Sequence, residues 1–307
     1  MFKRLLVTLS LSATLVACSE AEPPFGSRPV RTPTLFAPGV VSTSAREYGI
    51  TFAPDGREAY FTRRGRGRQA RPRIFVSRFV GGAWAEARPA SFSTGWEEAP
   101  FLTDEGRRLL YSSRRIVPGW GSAPLDGNLW VVERIDGDWG APSPLRGDVN
   151  RPRFDGERAP ARSESGPVLL PDGTLLYWSE EEGVWGNDLY AARQEDGAFV
   201  DPRPLRLNTG GSESQAALSP DGRFLIFQSY REARAVGRED LYVAERTAYG
   251  WGRPTVLPEP FNSAANDGYP SFSPDGRYFF FASDRDPATR AWSIYYVETD
   301  ALPLLPG

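Results

Sequence analysis

The stretch Tyr269–Arg285 reads YPSFSPDGRYFFFASDR. The same phrase occurs four times upstream, as ITFAPDGREAYFTRR, PFLTDEGRRLLYSSRR, PVLLPDGTLLYWSEE and AALSPDGRFLIFQSYR. An acid stands eight positions before the turn acid in every copy, pairing Glu47 with Asp55, Glu97 with Glu105, Glu164 with Asp172, Glu213 with Asp221 and Asp267 with Asp275. Six positions after the turn acid comes an aromatic: Phe61, Tyr111, Trp178, Phe227 and Phe281. The turn acids are 50, 67, 49 and 54 residues apart. A period near fifty with several short strands is the mark of a radial β array.

Each copy reads as one unit. A short strand A leads into Pro-Asp-Gly, a tight turn in which Asp bonds its own backbone and Gly takes positive φ. Strand B, as in RYFFFASD, is almost continuously apolar, which calls for burial on both faces, as between stacked blades. An apolar-aromatic pair (Ile74-Phe75, Leu129-Trp130, Leu189-Tyr190, Leu241-Tyr242, Ile294-Tyr295) marks strand C. A second turn, such as Asp136-Gly137, leads to strand D at Trp84, Trp139, Phe199 or Trp251. The last copy has little room for a strand D. The segment from Pro33, PTLFAPGVVSTSAREYG, aligns with the strand D segment PTVLPEPFNSAANDGYP from Pro254. The N-terminus is therefore expected to supply the outer strand of the final blade and close a ring of five. Six blades, one degenerate, is the alternative.

Composition agrees with this reading. Of 307 residues, 40% are hydrophobic and 13% aromatic, enough for a sizeable core, while 31 glycines and 28 prolines favour many short elements. A formal charge of -3 gives no push toward nucleic acid. Histidine is absent, which excludes Ser-His-Asp and Cys-His nucleophiles and His-containing zinc sites. Lys3 is the only lysine, so arginine clusters partly reflect an arginine-biased composition.

The first residues, MFKRLLVTLSLSATLVACSE, place a basic start before an apolar run that ends at Cys18. This is a secretory signal layout, too short for a membrane span. Leu15-Val16-Ala17-Cys18 resembles a bacterial lipobox, implying cleavage after residue 17 and lipidation of Cys18, the sole cysteine. Ser19, where an Asp would signal retention, implies the outer membrane, facing the periplasm. An ordinary signal peptide with an incidental Cys is the alternative. Residues 18–32 read as a polar, proline-rich tether; its fourteen residues after Cys18 could extend roughly 45 Å. Residues 33–307 form the β domain.

The pattern E-x-x-P-x-x-S-P-D-G-R…F-x-S…D-[IL]-[YW]-V resembles the WD-repeat-like β-propeller repeats of the TolB type, over about Pro33 to Val297. The resemblance implies an all-β fold, a single propeller of four-stranded antiparallel blades. Departures occur at the TDEG turn, at Ile50 and Ala216 in place of the early proline, and at Arg63 and Glu180 near the usual Ser. TolB itself has six blades and a separate N-terminal domain, so its role is not inherited.

Strand alternation puts the short A–B and C–D turns on one face and the variable B–C and D–A loops on the other, where recognition is expected. Candidate ligand-face residues there are Trp120, Trp185, Tyr230 and Trp292. The loop RRGRGRQARPR, Arg63 to Arg73, could steer an anionic partner or simply be solvated. The leading acids Glu47, Glu97, Glu164, Glu213 and Asp267 are expected to ring the channel mouth. They could hold Ca²⁺, or accept hydrogen bonds from backbone, Ser or Arg of the neighbouring blade. No metal site or cofactor is otherwise expected. Glycoside cleavage needs a carboxylate pair; Asp126, Asp155 and Asp188 break the repeat, but nothing distinguishes them. The expected function is a non-catalytic, envelope-anchored lipoprotein that binds a protein partner through the variable face. A glycan-binding or glycoside-active propeller is the alternative.

Overall fold

The computed structural model describes residues 23–26, 28–116, 127–150, 163–180, 186–230 and 237–303. The signal segment, Cys18, Trp120 and Trp185 lie outside the described residues. Five separate antiparallel sheets form a five-bladed β-propeller. The innermost strands, A, are Arg46–Phe52, Glu97–Thr103, Glu164–Leu169, Ser212–Leu218 and Asp267–Phe272. Strands B and C follow outward in each blade, as Tyr278–Ser283 and Ser293–Glu298 do in the fifth.

Strand D is shorter than the sequence suggests. In blades one, two and four it breaks into two-residue pieces, such as Ala83–Trp84 and Arg88–Pro89, both paired with strand C. Among the described residues, blade three has the longest outer strand, Ala198–Pro204. Proline withholds an N–H from the ladder, and an outermost strand is where that loss is tolerated.

The ring closes as the alignment of its two ends requires. Thr34 and Leu35 pair with Tyr296 and Tyr295 as the outer strand of blade five. The chain then crosses to blade one, where the Glu47 N–H donates to the Trp292 carbonyl at 2.8 Å. The tether segment departs from expectation. Phe25 is buried against Phe52, Tyr278 and Phe280, and the Trp84 indole N–H donates to the Pro24 carbonyl at 3.0 Å. An aromatic cage formed by two blades outweighs the flexibility that a Pro-rich composition implies. This contact lies on the A–B turn face, beside Gly56 and Asp275.

Five apolar clusters fill the spaces between blades, so strand B is buried on both sides. Phe279, Phe280 and Phe281 are all fully buried and divide between two clusters, which explains the unbroken FFF. The strand D tryptophan also ties blades together. Trp139 of blade two donates to the Tyr60 hydroxyl of blade one at 2.9 Å, and that hydroxyl donates to Glu58 at 2.7 Å. Arg134 bonds the same Glu58.

Candidate functional site

The five leading acids are buried, none more than 2% exposed. Among the described residues, four of them fold back onto the crossover that delivers strand A. Glu47 accepts from the Thr43 N–H and hydroxyl, Glu213 from those of Thr209, and Asp267 from those of Ser263. Glu97 accepts from the Ser93 hydroxyl and the Gly95 N–H. Glu164 is reached by the Ser179 hydroxyl at 3.5 Å. Among the described residues, three acids also meet an arginine of their own blade: Glu47 meets Arg63 at 2.8 Å, Glu97 meets Arg115 at 3.3 Å and Asp267 meets Arg285 at 2.6 Å. Each arginine goes on to bond a crossover carbonyl, of Val40, Phe92 and Phe261 respectively. Among the described residues the partners come from the acid's own blade and from the crossover that arrives from the preceding blade, to which Ser42 and Ser93 are bonded. Arg63 stands where the repeat expects Ser, and takes on the arginine's role directly. Among the described residues no group of three His, Cys, Asp or Glu converges as a metal-ligand set.

Two features of the repeat escape a reading by motif. Asn208 and Asn262, five residues before their acids, accept from the strand C N–H of Leu189 and Leu241 and donate back to the same residue's carbonyl. The visible signal is Asn-Thr or Asn-Ser before the acid. The second is a bulge in every strand A, two residues after the acid, at Gly49, Ala99, Gly166, Gln215 and Tyr269. All five have positive φ, and three are not glycine. No composition rule marks Ala99, Gln215 or Tyr269 for a left-handed conformation, because the fold imposes it there.

The bulge residues line a central cavity of about 570 Å³ that opens between the A–B turns. Toward the variable face aromatic and acidic groups come together. The Tyr48 ring lies 4.6 Å from that of Tyr269, which meets Trp292 edge-on at 5.4 Å. The Tyr48 hydroxyl donates to Glu98 at 2.9 Å, and the Gln228 amide to Glu239 at 2.9 Å. Burial pushes the Glu98 carboxyl above its ordinary value, against Tyr48, Arg114 and Arg64, which pull it down. Burial likewise raises Glu239, with Asp284 adding to the effect and Arg238 opposing it. Burial, with both of these acids, holds the Tyr269 phenol well above its usual value. Glu98 and Glu239 are acids that break the repeat, the signal that singles them out; Glu98 is hidden by the clamp acid beside it.

Of the candidate ligand-face residues, Tyr230 is 44% exposed at the end of a strand B, while Trp292 is half-buried against Tyr269 and serves packing as well. The residue that stands out on this face is Trp96. Its ring lies 4.0 Å from the Arg114 guanidinium and 5.7 Å from that of Arg64. Arg68, Arg71, Arg114 and Trp96 border a cleft of about 460 Å³. Arg64 and Arg66 are spent on the carbonyls of Ala70 and Ser44, so the arginine loop is partly built into the fold.

Fold and site together define a five-bladed β-propeller with a built, basic loop face and an axial cavity opening on the other side. No protein-family model matches the sequence, and no curated protein matches it. Among solved structures, an α-L-arabinofuranosidase from Podospora anserina is 11% identical, with 88% of this chain and 94% of that chain covered and a TM-score of 0.50. An arabinanase from Bacillus subtilis is 11% identical, covering 88% and 96%, also at 0.50. A TolB-like protein from Agrobacterium tumefaciens is 18% identical, covering 78% and 71%, at 0.46. At these identities the likeness concerns the fold.

Proposed function

We propose that this protein is a lipid-anchored, non-catalytic propeller of the bacterial envelope that binds an acidic protein partner through its B–C/D–A loop face. The observation that carries this reading is the docking of Pro24 and Phe25 on the opposite, turn face. Pro23 lies five positions after Cys18, a reach of at most about 18 Å. An anchor at Cys18, in the outer membrane facing the periplasm, then holds the turn face toward the bilayer and directs the loop face away. That face carries Trp96 stacked by Arg114, with Arg68 and Arg71 beside it. Aromatic and arginine side chains in a cleft are the usual anchors of protein recognition.

Reversing Arg68, Arg71 and Arg114 together to Glu is expected to weaken cross-linking to envelope proteins at least roughly tenfold, about 1.4 kcal/mol, and more at low salt. The matched reversal on the turn face, Arg57→Glu with Arg277→Glu, should leave capture intact. Capture lost only in the turn-face variant overturns the assignment.

A second reading, glycoside cleavage, is favoured by one observation: Glu98 and Glu239 sit near Tyr269 at the loop end of the channel, both raised by burial. Such chemistry uses two carboxyl groups, one of them with a raised pKa. Polysaccharide hydrolysis abolished by Glu98→Gln and by Glu239→Gln would establish it in place of the first.

A further inference from the structure

We propose that the axial cavity is a binding site for a small, neutral, mainly apolar ring compound that carries a hydrogen-bonding group at one end. The site is independent of the loop face and opens on the opposite side of the ring. Its volume, about 570 Å³, falls within the ~300–1,000 Å³ range of small-molecule pockets. Phe101, Val168, Leu218 and Phe272 contribute to its wall, with Pro171 and Pro220 at the turn end. Its charged lining residues are Asp221 and Arg246, both already engaged: Asp221 with the Ser219 hydroxyl and Arg246 with Asp172. A neutral ligand follows, because a charge placed here would find no free counter-charge in the wall.

The hydrogen-bonding end is called for by polar atoms that the fold leaves unsatisfied. Gln215 and Ser271 belong to the lining, and among the described residues neither the Ser271 hydroxyl nor the Trp178 indole nitrogen behind the wall has a partner. Trp178 and the Gln215 amide converge beside Gly166, whose missing side chain leaves room for both. Each strand A is the end strand of its sheet, so its free backbone edge also faces the axis. Finally, three non-glycine residues are held at positive φ around this cavity. Such backbone cost gathers where a fold shapes a site.

The test uses 1-aminoanthracene, a neutral three-ring fluorophore with one amino group. Titration of the purified protein should give saturable 1:1 binding with a blue-shifted emission. Ala217→Trp and, separately, Val168→Phe fill the cavity and should each abolish binding, with folding checked by circular dichroism and thermal midpoint. Gln215→Asn, which tolerates the left-handed conformation but shortens the amide's reach, should weaken binding about fivefold. Arg290→Glu, on the far face, should leave it unchanged. Absence of saturable binding, or binding that survives whichever cavity-filling variant is folded, overturns the proposal.

Discussion

Glu97 and Glu98 are sequence neighbours with opposite fates. Glu97 is buried with a hydroxyl, an N–H and a guanidinium around it. Glu98 points into the channel, where one tyrosine hydroxyl bonds it and burial raises its carboxyl above the ordinary value. A carboxyl whose pKa is higher folded than unfolded lets the native state bind more protons, so its contribution to stability is present at low pH and lost as pH rises through the folded value. Glu98→Gln keeps the acceptor for Tyr48 and removes the ionisation. Its thermal midpoint should exceed that of the parent at pH 7, and the gap should close as pH falls below the ordinary carboxyl value of ~4.3. Calorimetric scans across that range measure the gap directly. A gap that does not change with pH would assign the effect to packing instead.

At the scale of the strand, the bulge two residues after each acid is the telling element. It turns the inner strand so that the acid clamps the incoming crossover while the next residues face the axis. Gly49 meets this demand at no steric cost, whereas Ala99 meets it with φ of 53°. A side chain at Gly49 would have its nearest neighbour, the Ala99 Cα, at 3.5 Å, so space is not the obstacle there. Gly49→Ala should therefore cost about 1–2 kcal/mol from the backbone alone. Ala99→Gly should recover up to about 1 kcal/mol, the gain reduced by glycine's greater freedom when unfolded. Urea unfolding of the two variants checks the opposite signs. The A–B turns tell a similar story. Asp55, Asp221 and Asp275 each accept from the N–H two residues on, as Pro-Asp-Gly predicts. TDEG instead makes a tight turn with both Asp104 and Glu105 in the left-handed region.

For the whole molecule, the ring is fastened where its two ends meet. Blade five borrows Thr34–Leu35, Ser42 bonds the Ile294 carbonyl at 2.9 Å, and Phe25 seals the turn face of the same junction. Phe25→Ala empties an aromatic cage and should cost about 3 kcal/mol, at the lower end for a buried Phe because the site is peripheral. Hydrogen exchange should then speed up first in Tyr278–Ser283 and Ser293–Glu298, the strands that the junction protects. Uniform acceleration in all five blades would mean that the ring unfolds as one unit and that the junction is no weaker than the rest.

The five blades, their A–B and C–D turns and the closure by the N-terminus were legible in the repeat. Spacing along a chain directly encodes which strands are neighbours when each unit is local and the unit recurs. The leading acids were legible as positions but not as environments, since a carboxylate eight residues before a turn reads the same whether it faces water or an arginine. Three things were decided only in the tertiary structure: the clamp partners, the ring of left-handed residues around the cavity, and the docking of Phe25. Each depends on atoms from different strands or blades meeting at a distance, and on burial, which no single segment of the sequence carries. The phrase YPSFSPDGRYFFFASDR determines a blade, and the packing of five such blades decides what its axis and its two faces offer.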